Sequence, residues 1–226
     1  LDVALGGQGA PLVPIGDLHL FGQYDACLNL GGIANVSFQH QGQRIAYDIG
    51  PANMLLNPLA QRAGLPYDDN GQLARQGQLI PDLIQQLNEL SYYTQPFPKS
   101  LGYEWFLEQV IPLLDNYNHT PADLLHTAVA HISAQISQDL KYYHPQGGRL
   151  LATGGGAKNG FLIQTLQQDL GQNWQVIAPS EELIDFKEAL VFAFMSVRYL
   201  RNEVNCLSSV TGARRDCVGG RYFEPV

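Results

Sequence analysis

Three acids and two glycine-rich turns are the residues of this chain whose types and spacing can do chemistry. Leu28-Asn-Leu-Gly-Gly-Ile-Ala-Asn-Val-Ser-Phe38 runs an apolar segment into Gly31 and Gly32 and out again. Leu151-Ala-Thr-Gly-Gly-Gly-Ala-Lys-Asn159 carries a second such segment through Gly154, Gly155 and Gly156 toward a helix. Glycine lets backbone N–H groups approach an anion without a Cβ in the way, and a helix opening after the turn adds the positive end of its dipole. Together they predict a phosphate-bearing ligand, although Gly31–Gly32 also suits a plain hairpin and Gly154–Gly156 a plain strand-to-helix connection. Asn159 stands where its side chain can cap the following helix or meet a ribose or base. Asp2 precedes Gly-Gly-Gln-Gly, a setting that can aim an acid into a cleft. Asp48 ends an apolar segment ahead of Gly50-Pro51, suited to a sugar hydroxyl, to a metal-bound water or to capping a turn. Glu188 lies within an otherwise apolar helical stretch, which calls for a buried ion pair or a ligand contact.

The elements that must position these residues follow from periodicity. Ala26 to Leu30, Ile33 to Phe38 and Arg44 to Ile49 alternate or run apolar, and Gly42 suits the turn between the last two, predicting an antiparallel meander. Helical spacing begins after Pro51, with Met54, Leu55 and Leu59 on one side, and residues 68 to 118 read as further helices broken by proline. Thr120-Pro-Ala-Asp123 is a helix start with Thr as N-cap, opening a long helix whose apolar face includes Leu124, Ala128, Ile132 and Leu140. Arg149 to Thr153 and Trp174 to Ala178 are strands around a helix at 160 to 170. Ile184 to Leu200 is apolar nearly all round and is expected to be buried. The class is therefore α/β, a mixed sheet with an antiparallel meander flanked by helices.

A chain of 226 residues can bury a sizeable core. Its 13 basic and 21 acidic residues give a net charge of −8, which argues against a nucleic-acid or anionic-membrane partner. Cys27, Cys206 and Cys217 form no C-x-x-C pair and no even framework, so neither a zinc site nor a disulfide scaffold is indicated, and a reduced cytoplasmic setting is expected. No apolar run approaches the roughly 20 residues that span a bilayer. Among the histidines, His126 and His131 are too far apart in sequence to share a helix face as metal ligands and read as solvated or packed. Lys158 and Lys187 read as surface charges. The doublets Tyr92-Tyr93 and Tyr142-Tyr143 suit an interface.

The dinucleotide fingerprint fails, because after Gly154 and Gly156 its third glycine falls at Asn159. The Walker pattern fails for want of any Gly-Lys-Ser/Thr. The remaining order, a meander with a Gly-Gly turn, then helices, then a Gly-rich strand-to-helix turn, resembles the ribonuclease H-like nucleotide-binding lobe of the actin, Hsp70 and sugar-kinase superfamily. In that superfamily the first turn is a phosphate loop and the later one holds adenosine. Five segments, Asp2-Val-Ala-Leu-Gly-Gly-Gln-Gly-Ala-Pro11, Asn29-Leu-Gly-Gly-Ile-Ala-Asn35, Tyr47-Asp-Ile-Gly-Pro-Ala-Asn53, Thr153-Gly-Gly-Gly-Ala-Lys-Asn159 and Lys187-Glu-Ala-Leu-Val-Phe-Ala193, are similar to the anhydro-N-acetylmuramic acid kinases. Ile49 and Ala52 stand where that family usually has Thr and Gly.

The resemblance implies a bacterial cytoplasmic enzyme of peptidoglycan recycling. Water would open the 1,6-anhydro bond of the sugar while O6 takes the γ-phosphoryl group of ATP, with Mg2+ offsetting phosphate charge. It implies Asp2 as general base and Asn29, Gly31, Gly32, Asn35, Gly154, Gly155, Gly156 and Asn159 at the nucleotide, while Asp48 and Glu188, from their own settings, are the candidates for substrate contact. It further implies a homodimer and an organisation in which residues 1–16 end a missing N-terminal lobe and residues 17–226 form the C-terminal nucleotide-binding lobe, inactive alone. The alternatives are a kinase of the same fold for another sugar or a carboxylic acid, and a nucleotide-dependent binding or assembly module.

Overall fold

The computed structural model describes residues 1–223. In chain order the elements are α1 (Pro14–Leu20), β1 (Ala26–Leu30), β2 (Ile33–His40), β3 (Gln43–Pro51), α2 (Asn53–Gln61), α3 (Pro81–Asn88), α4 (Tyr103–Trp105), α5 (Ile111–Asp115), α6 (Pro121–Tyr143), β4 (Gly148–Thr153), α7 (Gly160–Leu170), β5 (Trp174–Ile177), α8 (Glu181–Leu200) and α9 (Ser208–Thr211). The sheet runs β3-β2-β1-β4-β5. β2 is antiparallel to β1 and β3, whereas β4 is parallel to β1 and β5. This is the ribonuclease H-like order, with the meander at one edge and the β4-α7-β5 unit at the other. The expected boundary between residues 16 and 17 falls inside α1, and Gln8 and Leu5 are bonded through their backbones to Thr211 and Arg214.

Alternation along β1 and β4 divides the interior. Ala26, Leu28, Leu30, Leu150 and Ala152 face a large core with Leu55 and Leu59 of α2, Leu83 and Leu87 of α3, Leu124 to Leu140 of α6 and Leu162 and Leu166 of α7. Each such fully buried aliphatic side chain contributes about 1.5–3 kcal/mol of transfer free energy. Cys27 and Leu151 face the other way, into a smaller cluster with Ile15 and Phe21, Val191 and Met195. Here α1 crosses α8 so closely that a Cβ on Gly16 would lie 2.3 Å from a methyl of Val191. α6 starts as expected, with Thr120 Oγ1 accepting from the Asp123 N–H at 3.2 Å.

Two expectations are corrected. α8 is not buried all round: Ile184, Lys187, Val191 and Met195 form its inner stripe, while Phe186, Leu190, Phe192, Val197 and Leu200 are exposed. Lys187 is not a surface charge but is 6% exposed. Lys158 is at the surface, paired with Asp185 at 2.6 Å. Tyr92 is buried, and Tyr93 turns inward to bond His131, which is itself buried on α6. Cys206 and Cys217 are free thiols that face each other across an isolated antiparallel bridge.

Candidate functional site

Register builds the site. Asn29 of β1 lies opposite Asn35 of β2 and beside Thr153 of β4, and Asn35 lies opposite Asp48 of β3 after a bulge at Ala34/Asn35. One polar row, Asp48-Asn35-Asn29-Thr153, therefore crosses four adjacent strands on the face that α1 and α8 only partly cover. A cavity of about 490 Å³ opens on this row, and Gly154, Lys99, Asp17, Lys187, Glu188 and Thr211 also line it. Asp48 lies inside β3, short of its end at Pro51. Its Oδ2 accepts from Ser100 Oγ at 3.1 Å and from the Leu101 N–H at 3.0 Å, and among the described residues Oδ1 makes no such bond. Glu188 stands exposed in the cavity wall, and its neighbour Lys187 takes the buried ion pair that the sequence suggested for it.

The two glycine turns differ. The Gly31 and Gly32 carbonyls accept from Asn53, Ala52 and Met54 at the start of α2, which pins the hairpin tip. A Cβ on Gly32 would meet nothing within 4 Å, so that turn is open to a ligand. Gly154 has φ +79°, and a Cβ there would lie 2.5 Å from Asn29 Oδ1 and 2.9 Å from the Leu30 backbone. Gly154→Ala is expected to cost about 1–3 kcal/mol, through left-handed backbone and this clash together. Urea unfolding checks it, and a loss below about 0.5 kcal/mol contradicts the close approach. Asn53 Nδ2 donates to Leu30 O at 3.3 Å, and a Cβ on Gly156 would lie 3.4 Å from Asn53 Oδ1, so Asn53 stands close to both turns. Asn159 caps the helix: its Oδ1 accepts from the Leu162 N–H at 3.0 Å at the start of α7.

Of the residues singled out by sequence, the cavity thus gathers Asn29, Asn35, Asp48, Gly154 and Glu188. Gly31, Gly32, Gly155, Gly156 and Asn159 do not line it. Asp2 is buried under its own loop, where Oδ2 accepts from the Gly9 N–H at 2.9 Å and Oδ1 from Thr211 Oγ1 at 2.7 Å. Gly7 is required there, since a Cβ would fall 2.2 Å from Oδ2. Asp2 borders a second, more apolar space of about 590 Å³ with Phe192, Met195 and Tyr199. Thr211 stands between Asp2 and the polar cavity.

Sequence reasoning missed the cluster beneath the polar row. Asp17 of α1 accepts from Ser37 Oγ at 2.5 Å and pairs with Lys187 Nζ at 2.7 Å. Arg44 Nη2 donates to Ser37 Oγ at 2.8 Å and lies 4.0 Å from Asp17. An acid in the apolar stretch Pro-Ile-Gly-Asp17-Leu was the available signal. Burial pushes the Cys27 thiol in this wall up to about 11, with the Asp17 charge adding to it. Burial also lowers the Lys99 ammonium, which sits over the rings of Tyr92 and Tyr47 at 4.9 and 5.8 Å. Among the described residues no group of three or more His, Cys, Asp or Glu is spaced to hold a metal ion.

Sheet order and cavity define an α/β protein of ribonuclease H-like topology with a polar ligand cleft between the sheet and α8. The family model described as Anhydro-N-acetylmuramic acid kinase matches residues 1–225, and the chain belongs to that family. It is 37% identical over 223 residues to the "Anhydro-N-acetylmuramic acid kinase" of Aliivibrio fischeri, covering 95% of this chain and 60% of that protein. It is also 37% identical to that of a Sulfurovum species, covering 98% and 62%. The chain therefore spans about 60% of the length of these curated relatives. A solved structure, the activator of the 2-hydroxyisocaproyl-CoA dehydratase from Clostridium difficile with bound ADPNP, covers 84% of this chain and 67% of its own at a TM-score of 0.49 and 16% identity.

Proposed function

We propose that this chain is the C-terminal, nucleotide-binding part of an ATP-dependent anhydro-N-acetylmuramic acid kinase that opens the 1,6-anhydro bond and phosphorylates O6. The observation that carries the reading is the polar row on the cavity floor beside two glycine turns, in a chain of this family. The Asn29 and Asn35 amides suit sugar hydroxyls or phosphate oxygens, and the N–H groups at Gly31–Gly32 and Gly154–Gly155 suit phosphates.

In the reaction, water attacks C1 and loses a proton to a carboxylate. The C1–O6 bond breaks, and O6 takes the γ-phosphoryl group, leaving ADP. Asp48 suits the carboxylate role by position, since it lines the cavity, whereas both oxygens of Asp2 are engaged in its loop. Asp2 then holds Thr211 at the cavity wall. Mg2+ arriving with the nucleotide would offset phosphate charge, and of the acids lining the cleft Asp48 and Glu188 are the two not paired with a lysine, suited to one or two carboxylate contacts. Preceding chain, assembly into a homodimer, a role in cell-wall recycling and a cytoplasmic setting belong to the same proposal, and the chain alone should then bind nucleotide without turning over.

The test is ADP release by the full-length protein with Mg-ATP and 1,6-anhydro-N-acetylmuramic acid, set against N-acetylmuramic acid, glucose and acetate. Release confined to the anhydro sugar is expected. Release with another acceptor would leave a kinase of different substrate, and ATP binding without release would leave a binding module.

A further inference from the structure

The buried cluster below the polar row holds more positive than negative charge. Lys187 and Arg44 are 6% and 4% exposed, and they share the single carboxylate of Asp17, itself 4% exposed. Arg44 Nε and Asp17 Oδ1 are both buried without a hydrogen-bond partner. Lys187 Nζ forms an ion pair with Asp17 Oδ1 at 2.7 Å, without hydrogen-bond geometry, and lies 5.4 Å from the centre of the Phe21 ring. Among the described residues the ammonium donates no hydrogen bond to an acceptor. A buried ammonium so placed is stable only if an anion or water completes its shell. The side chain lines the polar cavity, so that partner can come from a ligand.

The cavity's acids do not remove the excess. Asp185 is already paired with Lys158, Glu188 is exposed to water, and Asp48 is held by Ser100 and Leu101. Lys99, the other cation in the wall, sits over aromatic rings. The geometry also orders the cleft. Ser37, which Asp17 holds, lies two residues along β2 from Asn35, about 7 Å from the polar row on the same face. An anion on Lys187 would therefore sit about one sugar ring away from a group reacting at Asn29, Asn35 and Asp48.

Resting on the proposed kinase reading, we infer that Lys187 is the specificity residue for the substrate's carboxylate, the lactyl acid that separates a muramic acid from a plain N-acetylglucosamine. Asp17, Ser37 and Arg44 are its positioning residues: they fix the ammonium and keep it from collapsing onto the acids of the wall. The ion pair with Asp17 holds the ammonium at the cavity wall, so that its N–H groups can make a charge-assisted bond to the incoming carboxylate.

The experiment compares kcat/KM of the full-length protein for 1,6-anhydro-N-acetylmuramic acid, its methyl ester and 1,6-anhydro-N-acetylglucosamine, in the native protein and in Lys187→Met. The native protein should prefer the acid by about 10- to 100-fold, the value of one buried charge-assisted bond. Lys187→Met should erase that preference by raising KM for the acid alone, with KM for ATP unchanged. If Lys187→Met does not fold, the same ratio is read in Lys187→Met combined with Asp17→Asn, which removes the ion pair as a unit. A native protein indifferent between acid and ester overturns the inference without any variant. So does a Lys187→Met that keeps the ratio, or that raises KM for ATP instead. Absence of ADP release with every acceptor sinks the kinase reading and this inference with it, whereas turnover without acid preference sinks the inference alone.

Discussion

Asp17→Asn should lower the unfolding free energy by about 3–5 kcal/mol, the usual cost of removing one member of a buried ion pair. The substitution is nearly isosteric, so the loss measures charge rather than volume. It leaves Lys187 and Arg44, both buried, with no carboxylate between them, while the amide oxygen can still accept from Ser37 Oγ. Burial also fixes the salt response: a pair whose side chains are only 7% and 6% exposed is screened little, so the loss should persist from low to about 0.5 M salt. Equilibrium urea unfolding at two ionic strengths measures both. A loss under about 1 kcal/mol, or one that disappears in salt, would mean that water reaches the cluster and that it behaves as a surface pair. Adding Lys187→Met to Asp17→Asn should recover part of the loss, since the two residues are in contact and their effects are not additive.

The same cluster shows where sequence stops being informative. The strands were legible because alternation is local: Leu28 and Leu30 against Cys27 and Asn29 declare two faces without reference to anything distant. The start of α6 was legible for the same reason, since Thr120 and Asp123 bond each other within one turn. Asn159 was half legible. Its position predicted a cap or a ligand contact, and the 3.0 Å bond to the Leu162 N–H shows the cap. Lys187 was misread because its partner, Asp17, lies in another helix on the far side of the chain's order, and no periodicity links the two. The polar row had the same invisibility. Asp48, Asn35, Asn29 and Thr153 come from three hairpin strands and one crossover strand, so their alignment depends on register and on one bulge. The exposed apolar side of α8 shows the converse limit: composition says that Phe186, Leu190 and Phe192 avoid water, not what shields them.

Asp48→Asn and Asp2→Asn should separate the acid that faces the reaction from the acid that builds the loop. In Asp48→Asn the carboxylate that can take the proton from water is lost, while the Asn carbonyl oxygen can still accept from Ser100 and Leu101, so the fold should hold. Turnover should fall by at least 100-fold, within the 10²–10⁴ range of a general base, with nucleotide affinity within a few-fold of native. Asp2→Asn should do the reverse. An amide offers one acceptor in place of two, so either the Gly9 N–H or the Thr211 hydroxyl loses its buried partner. That should cost about 1–3 kcal/mol of stability, while kcat at a temperature where the variant is folded should drop less than tenfold. Paired measurement of urea midpoint and kcat decides between the roles. If Asp2→Asn abolishes turnover with stability intact and Asp48→Asn stays active, then the base is Asp2, the loop must open to let it reach the sugar, and the polar row binds substrate without acting on it.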